Sequence, residues 1–150
     1  MVILQIFKMY DIPYSFRGDQ VGLKKILNII GFGFIVWLIP TIVTYFASDV
    51  GSAQIFDIVA AVAISGSAVV SSYVYFKDIT SHFIREGIIL AAAWLAITIV
   101  LDVVLIFLGI SKATLLEHAI RVIPLYVIIP AITIGFGLYL DHMVENISIH

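Results

Sequence analysis

The run from Trp94 to Phe107, Trp-Leu-Ala-Ile-Thr-Ile-Val-Leu-Asp-Val-Val-Leu-Ile-Phe, carries a single ionisable residue, Asp102. A carboxyl group with apolar residues on both sides lies inside a bilayer. Inserting it there costs about 2.5–3.5 kcal/mol, so such a residue is expected to face a bundle interior or a wet cavity. No Lys, Arg or His stands in the middle of an apolar stretch, and Arg121, the nearest in depth, starts at the outer boundary. The expectation is therefore a protonated acid that donates a hydrogen bond between helices. Prolines supply candidate acceptors, because Pro130 frees the carbonyl of Tyr126 and Pro40 frees that of Val36. Counted at 1.5 Å per residue from Ile110, Asp102 lies ~12 Å below the outer surface, level with both prolines. These residues predict a polar layer of Asp102, Tyr126, Pro130, Pro40, Thr44 and Ser65, with Thr98 one turn from Asp102. Such a layer could bind a proton, a cation or a small polar solute. The alternative is a purely structural aspartic acid bridging helices.

A second constellation sits at the other side of the membrane. His82 and Glu86 are four residues apart at the entry to one apolar stretch, and Asp141 and His142 leave another. An i, i+4 pair on one helical face is compatible with a metal ion. Histidines and acids at membrane interfaces are more often solvated ends, so no metal and no cofactor are expected. The chain contains no Gly-rich phosphate loop, no zincin motif and no Ser-His-Asp set at one depth, so it does not read as an enzyme.

Helices must position these groups. On each apolar stretch, one stripe at i, i+4, i+7 and i+11 collects small, polar or helix-breaking residues. These are Gly33, Trp37, Pro40 and Thr44; Ala61, Ser65, Ala68 and Ser72; Ala91, Leu95, Thr98 and Asp102; and Tyr126, Pro130, Thr133 and Gly137. Close packing in lipid demands small and hydroxylated residues whatever the function, so the stripes are equally a packing signature. Asp57, read as a first-turn residue, fits a capping role at a helix N-terminus.

Composition sets the solvent. Hydrophobic residues make up 62% of the 150 and charged ones only 12%, with a mean hydropathy of +1.14. That leaves too little polar surface for a water-soluble domain. The basic and acidic residues nearly balance, and no basic run with interleaved aromatics suggests nucleic acid. Without cysteine, disulfides, thiol nucleophiles and Cys-ligated metals are excluded.

Four apolar stretches, about 26–46, 55–76, 87–110 and 122–140, are each long enough to cross a ~30 Å hydrocarbon core. The chain reads as an all-α polytopic membrane protein, an antiparallel four-transmembrane-helix bundle with successive helices as neighbours. A membrane domain over 22–140 is preceded by an interfacial segment at 1–21, which lacks the pattern of a secretory signal, and followed by a tail at 141–150. The mid-stretch prolines and the two Gly-x-Gly pairs, Gly31 to Gly33 and Gly135 to Gly137, run in opposite order and do not indicate duplication.

Glu86-Gly87 followed by Trp94 through Asp102, together with Tyr126-Val-Ile-Ile-Pro130-Ala-Ile-Thr-Ile-Gly135, resembles runs in small four-span prokaryotic membrane proteins of unknown function. The resemblance implies a four-span count and a bacterial or archaeal membrane, and no activity. Taken together, the residues point to two functional classes, the first leading and the second its alternative. One is a transporter or channel-like protein, assembled as a homo-oligomer because four short helices rarely enclose a solute path alone. The other is a non-transporting scaffold, assembly factor or lipid-binding subunit whose partners are membrane lipids and other chains.

Orientation follows from the basic residues. Lys8, Arg17, Lys24, Lys25, Lys77 and Arg85 fall on one side, against Lys112 and Arg121 on the other, so both termini are expected in the cytoplasm of a multi-pass protein of the cell membrane. A topology reporter fused after His150 should report a cytoplasmic location. An external signal would reverse the orientation.

Overall fold

The computed structural model describes residues 14–47, 52–110 and 115–148. Five helices follow one another: α1 (Tyr14–Ala47), α2 (Ala53–Phe76), α3 (Phe83–Phe107), α4 (Leu115–Tyr126) and α5 (Ile128–Ser148). No strand occurs among the described residues. Four stretches are long and apolar enough to span a membrane: Gly22–Ala47, Gln54–Phe76, Phe83–Phe107 and Ile120–Asn146. The chain is a small multi-pass integral membrane protein built as an all-α four-helix bundle. Many large apolar side chains, among them Leu27, Phe46, Val62, Ile88 and Val100, point outward, as lipid rather than water requires.

Several boundaries differ from the sequence reading, each for a local reason. The third span starts at Phe83 rather than at 87, because Glu86 is neutralised inside the bundle by Lys25 and no longer marks the edge. It ends at Phe107 rather than at 110. There Gly109 adopts a left-handed φ of 68°, its N–H bonds the carbonyl of Ile106, and that of Ile110 bonds the carbonyl of Leu105. This is the Schellman arrangement that closes a helix with glycine. Asp102 consequently lies only five residues, or ~8 Å, from the end of α3, shallower than the expected ~12 Å.

The fourth span is not one helix. It breaks at Val127, between α4 and α5, so Pro130 sits in the first turn of α5, where a missing N–H costs least. Of the expected interfacial segment, residues 1–13 lie outside the described residues, while 14–21 continue α1 as helix. The tail likewise extends α5 as far as Ser148.

Packing also departs from simple chain order. The main contacts are α3 with α5, α1 with α2, α1 with α3, and α2 with α5. The helices therefore run around the bundle as α1, α2, α5, α3, and the consecutive pair α2 and α3 stands on a diagonal. Their connector, 77–82, has enough reach to cross it: six residues extend to about 20 Å.

The α3–α5 contact is the closest. A Cβ on Gly87 would lie 2.6 Å from the carbonyl oxygen of Thr133, and one on Gly137 would lie 2.6 Å from that of Phe83. The two backbones touch where each lacks a side chain, the small-residue solution to packing in lipid. Gly135 faces open space. Gly87→Ala and Gly137→Ala should each destabilise the bundle by ~1–3 kcal/mol through overpacking. Gly135→Ala should be neutral or slightly stabilising. Thermal unfolding in micelles checks this, and equal melting temperatures for all three variants would place the helix contact elsewhere.

Candidate functional site

Asp102 is buried on α3 and accepts hydrogen bonds from two other helices. The Trp37 indole Nε1–H of α1 donates to Oδ1 at 2.8 Å, and the hydroxyl of Tyr126, the last residue of α4, donates to Oδ2. This corrects the expectation of an acid donating to carbonyls freed by proline. An indole N–H can only donate, so the carboxyl group acts as an acceptor, and Tyr126 supplies its hydroxyl rather than its carbonyl. The freed carbonyl of Val36 is instead approached by the Ser67 hydroxyl at 3.4 Å, which also bonds Ile64 at 3.0 Å.

The remaining members of the expected layer serve their own helices. Thr44 donates to the carbonyl of Pro40 at 2.7 Å, Ser65 to that of Ala61 at 2.7 Å, and the buried Thr98 to that of Trp94 at 2.5 Å. Such i to i−4 bonds satisfy a hydroxyl without leaving it to line a path. Pro40 is buried, and Pro130 is partly so. The structure thus brings together Asp102 and Tyr126, adds Trp37, and turns the hydroxyls of Thr44, Ser65 and Thr98 toward their own helices.

A second tie lies near the α2–α3 connector. Glu86, also buried, receives Lys25 Nζ on Oε1 at 2.6 Å and the Tyr75 hydroxyl on Oε2 at 2.9 Å. It thereby joins α1, α2 and α3. The pairing with His82 does not form, because His82 precedes the helix in a left-handed conformation, φ 58°, and falls off the face Glu86 occupies. Nor do the four metal candidates converge. His82 and Asp141 line an open groove, His142 Nε2 lies 3.1 Å from Asn146 Nδ2, and Glu86 faces inward. Among the described residues, no group of three or more His, Cys, Asp or Glu is arranged to hold a metal.

Arg121 and Asp57 pair at 3.2 Å near the opposite end, both about half exposed, and the Arg121 guanidinium lies over the Phe56 ring at 5.5 Å. Asp57 falls beyond the first turn of α2, so it is an ion-pair residue rather than a cap. Between the two carboxylate sites, the axis is filled by Trp94, Leu90, Ile129, Val36 and Thr133, all fully buried. Trp94 donates to the carbonyl of Ile29 at 3.0 Å. Gly33 makes room for it, since a Cβ there would lie 2.9 Å from the Trp94 ring.

Sequence reading placed Trp37 on the inward stripe but did not assign it to Asp102. Its available signal was chemical: an indole in a lipid-spanning helix needs an acceptor. Asp102→Leu would leave the Trp37 indole and the Tyr126 hydroxyl without their acceptor, costing ~1–3 kcal/mol for a buried group so stranded. Adding Trp37→Phe and Tyr126→Phe should recover part of that loss, because replacing buried polar partners together by apolar groups removes the stranded donors. Denaturant titration in mixed micelles reads both values, and a triple variant less stable than Asp102→Leu alone would break this assignment.

The chain matches no protein-family model, no curated protein and no solved structure.

Proposed function

We propose that this chain is a non-transporting membrane scaffold or assembly subunit, in which Asp102 is a hydrogen-bond node between helices rather than a carrier of protons, cations or solutes. The observation that carries this reading is that both Asp102 oxygens accept bonds from side chains of other helices, beside a core filled by Trp94, Leu90, Ile129 and Val36. A translocating carboxylate must exchange its partners for the solute, and here each exchange would strand a buried donor. The self-satisfied hydroxyls of Thr44, Ser65 and Thr98 support the same reading. The distribution of Lys and Arg supports a cell-membrane protein with cytoplasmic termini. Gly31, Gly66 and Gly135 face open space, which suits close approach by a second copy or a partner helix.

One feature favours transport. The fourth span is interrupted at Val127, immediately after the Tyr126 that bonds Asp102, and discontinuous helices beside an intramembrane carboxylate recur in ion-coupled transporters. Proteoliposomes under an imposed potential and pH gradient separate the readings. The scaffold account expects proton and monovalent-cation flux no greater than in empty liposomes, for native protein and Asp102→Asn alike. Native flux lost in Asp102→Asn would overturn it.

A further inference from the structure

A groove of about 420 Å³ opens at the connector end of the bundle, lined by His82, Ile84, Arg85, Ile88, Ile89 and Asp141. Its two full charges are opposite in sign and come from different helices, Arg85 from the first turn of α3 and Asp141 from α5. They share the groove without meeting, and among the described residues neither makes a hydrogen bond or an ion pair. Glu86, the nearest other acid on α3, is turned away into the bundle and neutralised by Lys25. The groove therefore offers an unmatched cation and an unmatched anion on facing walls.

The apolar lining has a direction. Ile88 and Ile89 lie one turn further along α3 than Ile84 and Arg85, toward the middle of a span that runs from Phe83 to Phe107, and Ile88 is 52% exposed. Charges at the membrane boundary with isoleucines running inward match an amphiphile lying along the membrane normal. The N-terminal N–H groups of α3 add positive potential beside Arg85, and a guanidinium takes a phosphate through paired hydrogen bonds.

We propose that this groove binds the headgroup of an amine-bearing phospholipid, a phosphoethanolamine, with its phosphate on Arg85, its ammonium on Asp141 and the start of an acyl chain against Ile88 and Ile89. The choice among headgroups follows from Asp141. A headgroup carrying phosphate alone sets like charges against each other, and a trimethylated amine has no N–H to donate. A primary ammonium offers Asp141 both the charge and the largest number of N–H donors, and so matches both walls best. The site is independent of what Asp102 does, and flux measurements do not bear on it.

Native mass spectrometry of the full-length protein, released from micelles, tests the proposal with phosphatidylethanolamine, phosphatidylcholine and phosphatidylglycerol of identical chains, and with soluble phosphoethanolamine. Phosphatidylethanolamine should bind several-fold more tightly than the other two lipids, and the soluble headgroup far more weakly. Arg85→Gln should weaken it roughly tenfold, the scale of one charge-assisted contact. Asp141→Asn should abolish the preference over phosphatidylglycerol while leaving lipid bound. Equal binding of all three lipids, or a preference that survives both substitutions, would overturn the site. Soluble phosphoethanolamine binding as tightly as the lipid would overturn its assignment to a membrane lipid.

Discussion

A carboxyl group inside hydrocarbon must find its donors within the protein, because no water is there to supply them. In this bundle α3 carries two buried carboxyl groups, Asp102 within the span and Glu86 in its first turn, and the two solutions organise the remaining helices. Glu86, Leu90, Trp94, Thr98 and Asp102 follow one another at every fourth residue and are all buried. At one end of this ridge Glu86 gathers α1 and α2 through Lys25 and Tyr75. Toward the other, Asp102 gathers α1 and α4 through Trp37 and Tyr126. The Tyr75 bond also explains how α2 and α3, on opposite corners of the bundle, remain fixed to each other near their connector.

Between the polar ties the helices are held by fit. Lipid gives no hydrophobic drive for helix association, so close approach and dispersion must do most of the joining. The paired glycines of α3 and α5 remove the side chains that would separate the backbones, and Gly33 performs the same service for the Trp94 ring against α1. Hydroxyls add polarity without demanding partners across the interface, since Thr133, like Thr98, bonds a carbonyl of its own helix. Ser67 bonds its own helix too, but its hydroxyl also approaches the Val36 carbonyl that Pro40 leaves without its helical partner, and the buried Ser72 hydroxyl departs from the pattern by having no hydrogen-bond partner among the described residues.

The membrane class, the number of spans and the burial of Asp102 were legible from composition and apolar run length, because lipid leaves so few ways to fold. Tyr126 was also found, though as a carbonyl rather than a hydroxyl. Trp37 was not connected to Asp102, since helical spacing shows which face a residue occupies but not the rotation that sets it opposite a partner 65 positions away. Glu86 looked like a solvated end because position in a span does not reveal that Lys25 and Tyr75 reach it. The diagonal placement of α2 and α3 was illegible for a related reason: a short connector limits distance but does not select the neighbouring corner over the opposite one. The break at Val127 had a signal in the spacing of Pro124 and Pro130, six residues apart on one span, which two separate kinks or one interruption would satisfy equally.

The bond from the Trp37 indole to the Asp102 carboxyl group is the contact that ties α1 to the centre of the bundle. The protein has two tryptophans, and the second, Trp94, bonds a backbone carbonyl, which makes it an internal reference. Indole N–H resonances from nitrogen-15-labelled protein in micelles, assigned with Trp37→Phe, should show the Trp37 signal displaced by Asp102→Leu and exchanging faster with solvent deuterium, while the Trp94 signal stays in place. A Trp37 signal unmoved by that substitution would show that the indole has another partner and would remove Asp102 from the centre of the bundle.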